Sequence, residues 1–285
     1  MKSRLMLLTK VILALLCAVG VSSGHCLAAK EPTTAAKPTN AAEAAAKKAA
    51  EDAAIAEKYQ SLVAKLPPDQ QAWERTLQAN LGSFYLPIHK RLRVQGRSSC
   101  WDYVQDDPQL PRVLLIGDSV SGGYTLPARR ALAGKANVHK APENCGPTAN
   151  GLKKLDVWLG DGKWDVIHFN FGIHDRATPP AQYEDRLEKI VARLQKTGAK
   201  LIWASTTPIP KDDAKKQTPE SIVERNAIAA RVMQKHGIAV DDLFGFITPH
   251  LATAQNPHDV HFTGKGYELL GRQVAESIQT SLKTN

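Results

Sequence analysis

The pattern of apolar and polar positions is most regular after residue 111. Val113-Leu114-Leu115-Ile116 is a run of four large aliphatic residues that ends in Gly117-Asp118-Ser119. Such a run, bounded by turn residues, predicts a strand buried on both faces and stopped by a polar turn. Beyond it the period switches repeatedly between strand and helix. A helix around Thr125–Leu132 is followed by a short strand near Asn137–Lys140 and a helix through Leu152, Leu155 and Leu159. Strand Asp165–Phe171 precedes a helix from Pro179 whose Tyr183, Leu187, Ile190, Val191 and Leu194 share one face. Strand Lys200–Ser205, a helix after Thr218-Pro219, a strand at Ile238–Val240 and a helix Gly266–Leu282 complete the series. Strands alternating with helices imply a parallel sheet covered on both faces, a three-layer α/β/α flavodoxin-like architecture.

The chain before residue 112 follows other patterns. Residues 1–29 carry Lys2, Arg4 and Lys10, then the apolar run Val11–Val21 and small residues near Ala28, as a secretory signal peptide does. An uncleaved membrane anchor is the alternative reading. Cys26 follows His25, which is not the small residue a lipidation site needs. Residues 30–60 form an Ala/Lys/Pro-rich spacer, partly helical: Pro32 and Pro38 break its first part, and a capping-box-like Asn40/Glu43 opens a helix-favouring second part. Residues 61–111 are expected to be a helical extension packing on the core. Within them, a helix begins at Pro68 and closes at Gly82, and the connecting segment Phe84–Val104 is rich in aromatic and basic residues. Burial against the core is the ordinary fate of such aromatics, and substrate contact is the alternative.

Composition narrows the class. A chain of 285 residues with 43% hydrophobic and 23% charged positions can bury a sizeable core. Three positive charges of the net +9 lie in the leader, and the remainder is scattered with no basic run, which argues against a nucleic-acid partner. Membrane or cell-wall association is expected only through the N-terminal segment, and the oligomeric state is left open. No lysine follows Gly117–Gly123 as a phosphate-binding loop requires, and the nine histidines are dispersed, so neither a cofactor nor a metal is expected. Cys100 and Cys145 can either join in an exported protein or stay as two buried thiols.

The candidate chemistry lies at the ends of the alternating region. Ser119 follows the first core strand, and His261, in Asp259-Val260-His261-Phe262-Thr263, precedes the last helix. A hydroxyl and an imidazole brought to one sheet edge can act as nucleophile and base. These blocks, with Asn144-Cys145-Gly146-Pro147-Thr148 and Phe171-Gly172-Ile173-His174-Asp175 between them, resemble the GDSL hydrolases of the SGNH superfamily over roughly Arg112–Lys283. The resemblance implies an SGNH hydrolase domain over 112–285 and a serine esterase, an exported one if the leader is cleaved. Its implied substrate is a small ester or an acylated carbohydrate, with O-acetyl groups as the acyl group. Ser119 would be the nucleophile, His261 the base, and the Ser119 and Gly146 N–H groups oxyanion donors.

Two positions depart from that pattern. His174 stands where the family has an oxyanion asparagine, and it is read either as a donor or as a loop histidine bonded to Asp175, with Asn170 as a substitute donor. His258 stands where the family has its aspartate, leaving Asp259 two residues before His261 as the best candidate acid. In extended backbone that spacing would turn Asp259 away from the ring. Asp118 is expected to cap the turn. The alternatives to hydrolysis are acyl transfer to a sugar hydroxyl and a non-catalytic glycan-binding or scaffold protein with a decayed site.

Overall fold

A computed structural model describes residues 40–160, 162–212 and 217–284. The apolar run Val11–Val21, on which the export expectation rests, lies outside them. By its contacts the chain divides into residues 1–45 and 46–285, and of the former the described residues are helical.

Five strands, β1 (Arg112–Ile116), β2 (Asn137–Lys140), β3 (Val166–Phe169), β4 (Lys200–Ala204) and β5 (Ala239–Asp241), form one sheet in the order β2-β1-β3-β4-β5. Every pairing is parallel, for example Leu115↔Lys140 and Leu115↔His168. Alternation along the strands divides the core. Val113 and Leu115 of β1 face one cluster, with Val274 and Ile278, while Leu114 and Ile116 face the other, with Leu155, Leu187 and Ile190. Helices therefore cover both faces, as the parallel sheet requires. This is the three-layer α/β/α architecture expected from the alternation of strands and helices.

The connecting helices are α4 (Ser119–Ala131), α5 (Thr148–Leu159), α6 (Pro180–Gln195), α7 (Pro219–His236) and α10 (Gly264–Lys283), with short α8 (Leu243–Ile247) and α9 (Leu251–Ala254) before the last. Tyr183, Leu187, Ile190, Val191 and Leu194 of α6 are all fully buried. α4 starts six residues before the expected position. Its first turn, Ser119-Val120-Ser121-Gly122-Gly123, has poor helix propensity, and packing overrides it: a Cβ on Gly123 would lie 2.1 Å from the Tyr267 ring of α10.

The extension comprises α1 (Asn40–Val63), α2 (Pro68–Asn80) and α3 (Gly82–Val94). α1 runs unbroken through the 60/61 boundary, and much of the segment read as a connector, Phe84–Val94, is helix. A buried carboxylate joins the three helices: Glu74 of α2 accepts a hydrogen bond from Tyr59 Oη of α1 (2.8 Å), bonds His89 Nε2 of α3 (2.8 Å) and forms an ion pair with Arg93 of α3 (3.0 Å). The aromatics anchor the extension to the sheet domain. Trp73 Nε1 donates to the Trp101 carbonyl, and Trp101 Nε1 donates to the carbonyl of Ala141, the residue just after β2.

Candidate active site

In this strand order the chain leaves β1 towards β2 on one side and later places β3 on the other. The carboxyl end of β1 is thus a topological switch point, where open α/β sheets bind ligands. Gly117-Asp118-Ser119 stands at that point. Gly117 is required by crowding, since a Cβ there would lie 2.8 Å from Ser121 Oγ. Its carbonyl is held by the buried Lys140 Nζ (2.8 Å) and the Cys145 N–H (3.3 Å). The Asp118 carboxylate caps α4 by accepting the Val120 N–H at 2.9 Å. Ser119 is consequently the first residue of α4, where an N–H has no partner within the helix and the helix dipole favours negative charge.

Ser119 Oγ lies 2.8 Å from His261 Nε2, and His261 Nδ1 lies 2.8 Å from Asp259 Oδ1. A carboxylate only accepts, so Nδ1 carries the ring proton and donates it to Asp259, leaving Nε2 to accept from the serine hydroxyl. Asp259 Oδ1 also accepts the His261 backbone N–H at 3.2 Å. Burial by itself raises the Asp259 pKa, but the two bonds from His261 outweigh it and hold the carboxyl below its ordinary range. The expectation that Asp259 turns away from the ring fails because the segment is not extended. The Asp259 N–H bonds the Asn256 carbonyl, and His258 between them has φ +56°, the left-handed conformation that folds the chain back. His261 and Asp259 side chains keep 39% and 47% of their surface exposed, so the pair meets water.

The other expected residues divide. Gly146, at φ +62°, sits in the loop after β2, and its N–H donates to Asn144 Oδ1 at 3.3 Å. His174 lies in a 3₁₀ turn after β3 with Nε2 4.0 Å from Asp118 Oδ2, beyond hydrogen-bond reach but facing the nucleophile turn. It is not bonded to Asp175 in the way the loop reading supposed. That carboxylate is fully buried and accepts from Thr148 N, Thr148 Oγ1 and Thr178 Oγ1. Asn170 does not serve as a substitute donor here: both its amide hydrogens are engaged, with the Ala204 carbonyl (2.8 Å) and Thr206 Oγ1 (3.0 Å). It ties β3 to β4.

Cys100 and Cys145 are free thiols. Burial pushes each up to about 11, so neither competes with Ser119 as a nucleophile at neutral pH. Among the described residues no group of three or more His, Cys, Asp or Glu side chains is placed to hold a metal ion. Sequence reasoning missed Lys140 and Tyr85, whose hydroxyl accepts a hydrogen bond from Asn144 Nδ2 at 2.6 Å. The aromatic richness of 84–104 was the available signal for Tyr85.

A doubly covered parallel sheet with a serine, an imidazole and a carboxylate in line at its switch point is the arrangement of a serine hydrolase. The GDSL-like lipase/acylhydrolase family profile matches residues 115–269, more than half of the chain, and the chain belongs to that family of ester-hydrolysing enzymes. No curated protein matches it in sequence. Among solved structures it is similar to the lipase/acylhydrolase from Enterococcus faecalis, at 24% identity and a TM-score of 0.53, over 60% of this chain and 96% of that one. It is also similar to Axe2, an acetylxylan esterase from Geobacillus stearothermophilus, at 13% identity and a TM-score of 0.50, over 61% and 95% of the two chains. Those likenesses establish the fold.

Proposed function

We propose that the protein is an exported serine esterase that removes O-acetyl groups from carbohydrate. Ser119 Oγ attacks the ester carbonyl while His261 Nε2 takes its proton. The tetrahedral oxygen receives the Ser119 and Gly146 N–H groups, with His174 as a third donor after a small ring movement. Collapse breaks the C–O bond, His261 returns the proton to the leaving sugar hydroxyl, and water activated by His261 releases acetate from Ser119. Asp259 orients the imidazole and stabilises its charged form.

The observation that carries this reading is the 2.8 Å approach of Ser119 Oγ to His261 Nε2 with Asp259 aligned behind the ring. The exposure of that pair favours water over a sugar hydroxyl as the second acceptor, and so hydrolysis over acyl transfer. Carbohydrate as substrate is supported by the acetylxylan esterase likeness and by Phe84, 70% exposed beside Tyr85, which offers a sugar ring an aromatic face. Export is supported by the basic residues and apolar run of the first 29 residues.

The test compares the protein with Ser119→Ala on p-nitrophenyl acetate and on acetylated xylan. Turnover is expected to fall to the uncatalysed level in the variant. Equal rates would refute the proposal, and activity on the small ester without acetate release from xylan would refute the substrate.

A further inference from the structure

The loop after β2 that carries Gly146 is held by the extension and not by the sheet domain alone. The peptide joining Cys145 to Gly146 is fixed at both ends: its carbonyl accepts from Asn150 Nδ2 at 3.0 Å, and its N–H donates to Asn144 Oδ1 at 3.3 Å. Because that N–H can only donate, Oδ1 faces it and Nδ2 faces outwards, where it donates to Tyr85 Oη at 2.6 Å. Tyr85 belongs to α3 and stands 59 residues away in sequence. Space does not demand glycine at 146, since a Cβ there would approach nothing closer than the Asn144 carbonyl at 3.9 Å. The left-handed backbone at φ +62° does.

We propose that Tyr85 is a positioning residue for the oxyanion loop, acting through Asn144 on the Gly146 N–H; this deepens the esterase reading and rests on it. A 3.3 Å bond to a neutral amide is long and weak, whereas the charged oxygen of a tetrahedral intermediate attracts an N–H more strongly. The Gly146 N–H is thus held by a weak bond in the resting state and given up at little cost when charge develops. That hold depends on Asn144 staying in place, and the short bond to Tyr85 keeps it there. Without the hydroxyl, Asn144 can swing, and the peptide is held only from its carbonyl side. The Tyr85 ring packs edge-on against Trp101 at 5.4 Å, so phenylalanine at this position keeps the packing and removes the hydroxyl alone.

The experiment measures p-nitrophenyl acetate hydrolysis, melting temperature and Gly146 amide hydrogen exchange by NMR for the full chain, Tyr85→Phe, Asn144→Ala and the double variant. Tyr85→Phe is expected to lower kcat about tenfold, a fraction of the roughly 10² to 10³ lost when an oxyanion donor is removed. KM should stay within about twofold and the melting temperature should not move. Asn144→Ala should match it, and the double variant should be no worse than Asn144→Ala, because both act on one contact. Wild-type kcat in Tyr85→Phe, or losses that multiply in the double variant, overturns the proposal. If the parent chain has no Ser119-dependent turnover, the esterase reading falls separately. Gly146 exchange then decides: faster exchange in Tyr85→Phe supports positioning and unchanged exchange overturns it.

Discussion

At the scale of single residues, the site turns on one carboxylate whose sequence position looked wrong. Asp259 reaches His261 because His258 adopts φ +56°, and nothing in an Asn-Pro-His-Asp string announces a left-handed histidine. Alternation applies to extended chain, so the sequence identified Asp259 while giving no access to its geometry. Asp259→Asn places an amide donor against Nδ1 and favours the tautomer whose Nε2 cannot accept from Ser119. In a well-studied serine protease that exchange costs about 10⁴ in turnover. Here the loss should be smaller, about 10² to 10³, because the side chain is 47% exposed and water can stand in for it. The carboxyl is held below its ordinary range, so Asp259 should stay ionised from neutrality down to about pH 4. Steady-state kinetics of Asp259→Asn beside the parent checks the first point, and the carbon-13 shift of the parent's Asp259 carboxyl, expected to hold constant from neutrality down to about pH 4, checks the second. A variant with wild-type kcat would remove Asp259 from the mechanism.

At the scale of elements, the distance between Ser119 and His261 is set by how closely two helices approach. Ser119 opens α4, and α10 begins three residues after His261. The helices meet through glycines on both sides: Gly123 of α4 lies under the Tyr267 ring, and a Cβ on Gly271 of α10 would lie 2.3 Å from Pro127 Cβ and 2.9 Å from the Ala128 nitrogen. Backbone cannot yield as a side-chain tip does, so Gly271→Ala must spread the pair. It should cost about 1–3 kcal/mol of stability and reduce kcat by lengthening the 2.8 Å contact. Gly264→Ala, also in α10 but with nothing within 4 Å, is the control and should leave both unchanged. Urea unfolding and kcat of the two variants decide it, and equal behaviour would show that the helix contact does not govern the site. The same contact explains what the sequence withheld. The strands and the face of α6 were legible because burial on both faces leaves short unbroken apolar runs such as Val113–Ile116, and burial on one face imposes a period of 3.6 on a helix. The start of α4 was not, because its residues are chosen for close packing against a partner more than a hundred positions away.

At the scale of the whole molecule, the catalytic geometry and the extension form one mechanical system, with Trp101 and Tyr85 crossing from one to the other. The blocks of the sheet domain were recognisable as motifs; the Tyr85–Asn144 link was not, since long-range side-chain pairing leaves no period in a sequence. What keeps the extension in register is the buried Glu74, with Tyr59, His89 and Arg93 around it. Burial alone would raise the Glu74 pKa, but the bonds from His89 and Tyr59 and the charge of Arg93 prevail and lower it. A carboxyl whose folded pKa lies below its unfolded one stabilises the fold fully above the unfolded value, and that contribution is lost as pH falls through the folded value. The window therefore lies below about pH 4.3, the unfolded glutamate value. Glu74→Gln should be less stable than the parent at pH 7 by roughly 1–3 kcal/mol, because a charged partner of two hydrogen bonds and an ion pair is replaced by a neutral one. The deficit should narrow as pH falls below about 4.3, where the parent loses what the variant never had. Urea denaturation of both proteins at pH 7, 4.5 and 3 measures it. A constant gap across that range would mean that Glu74 does not titrate with unfolding and that another group sets the acid limit of the extension.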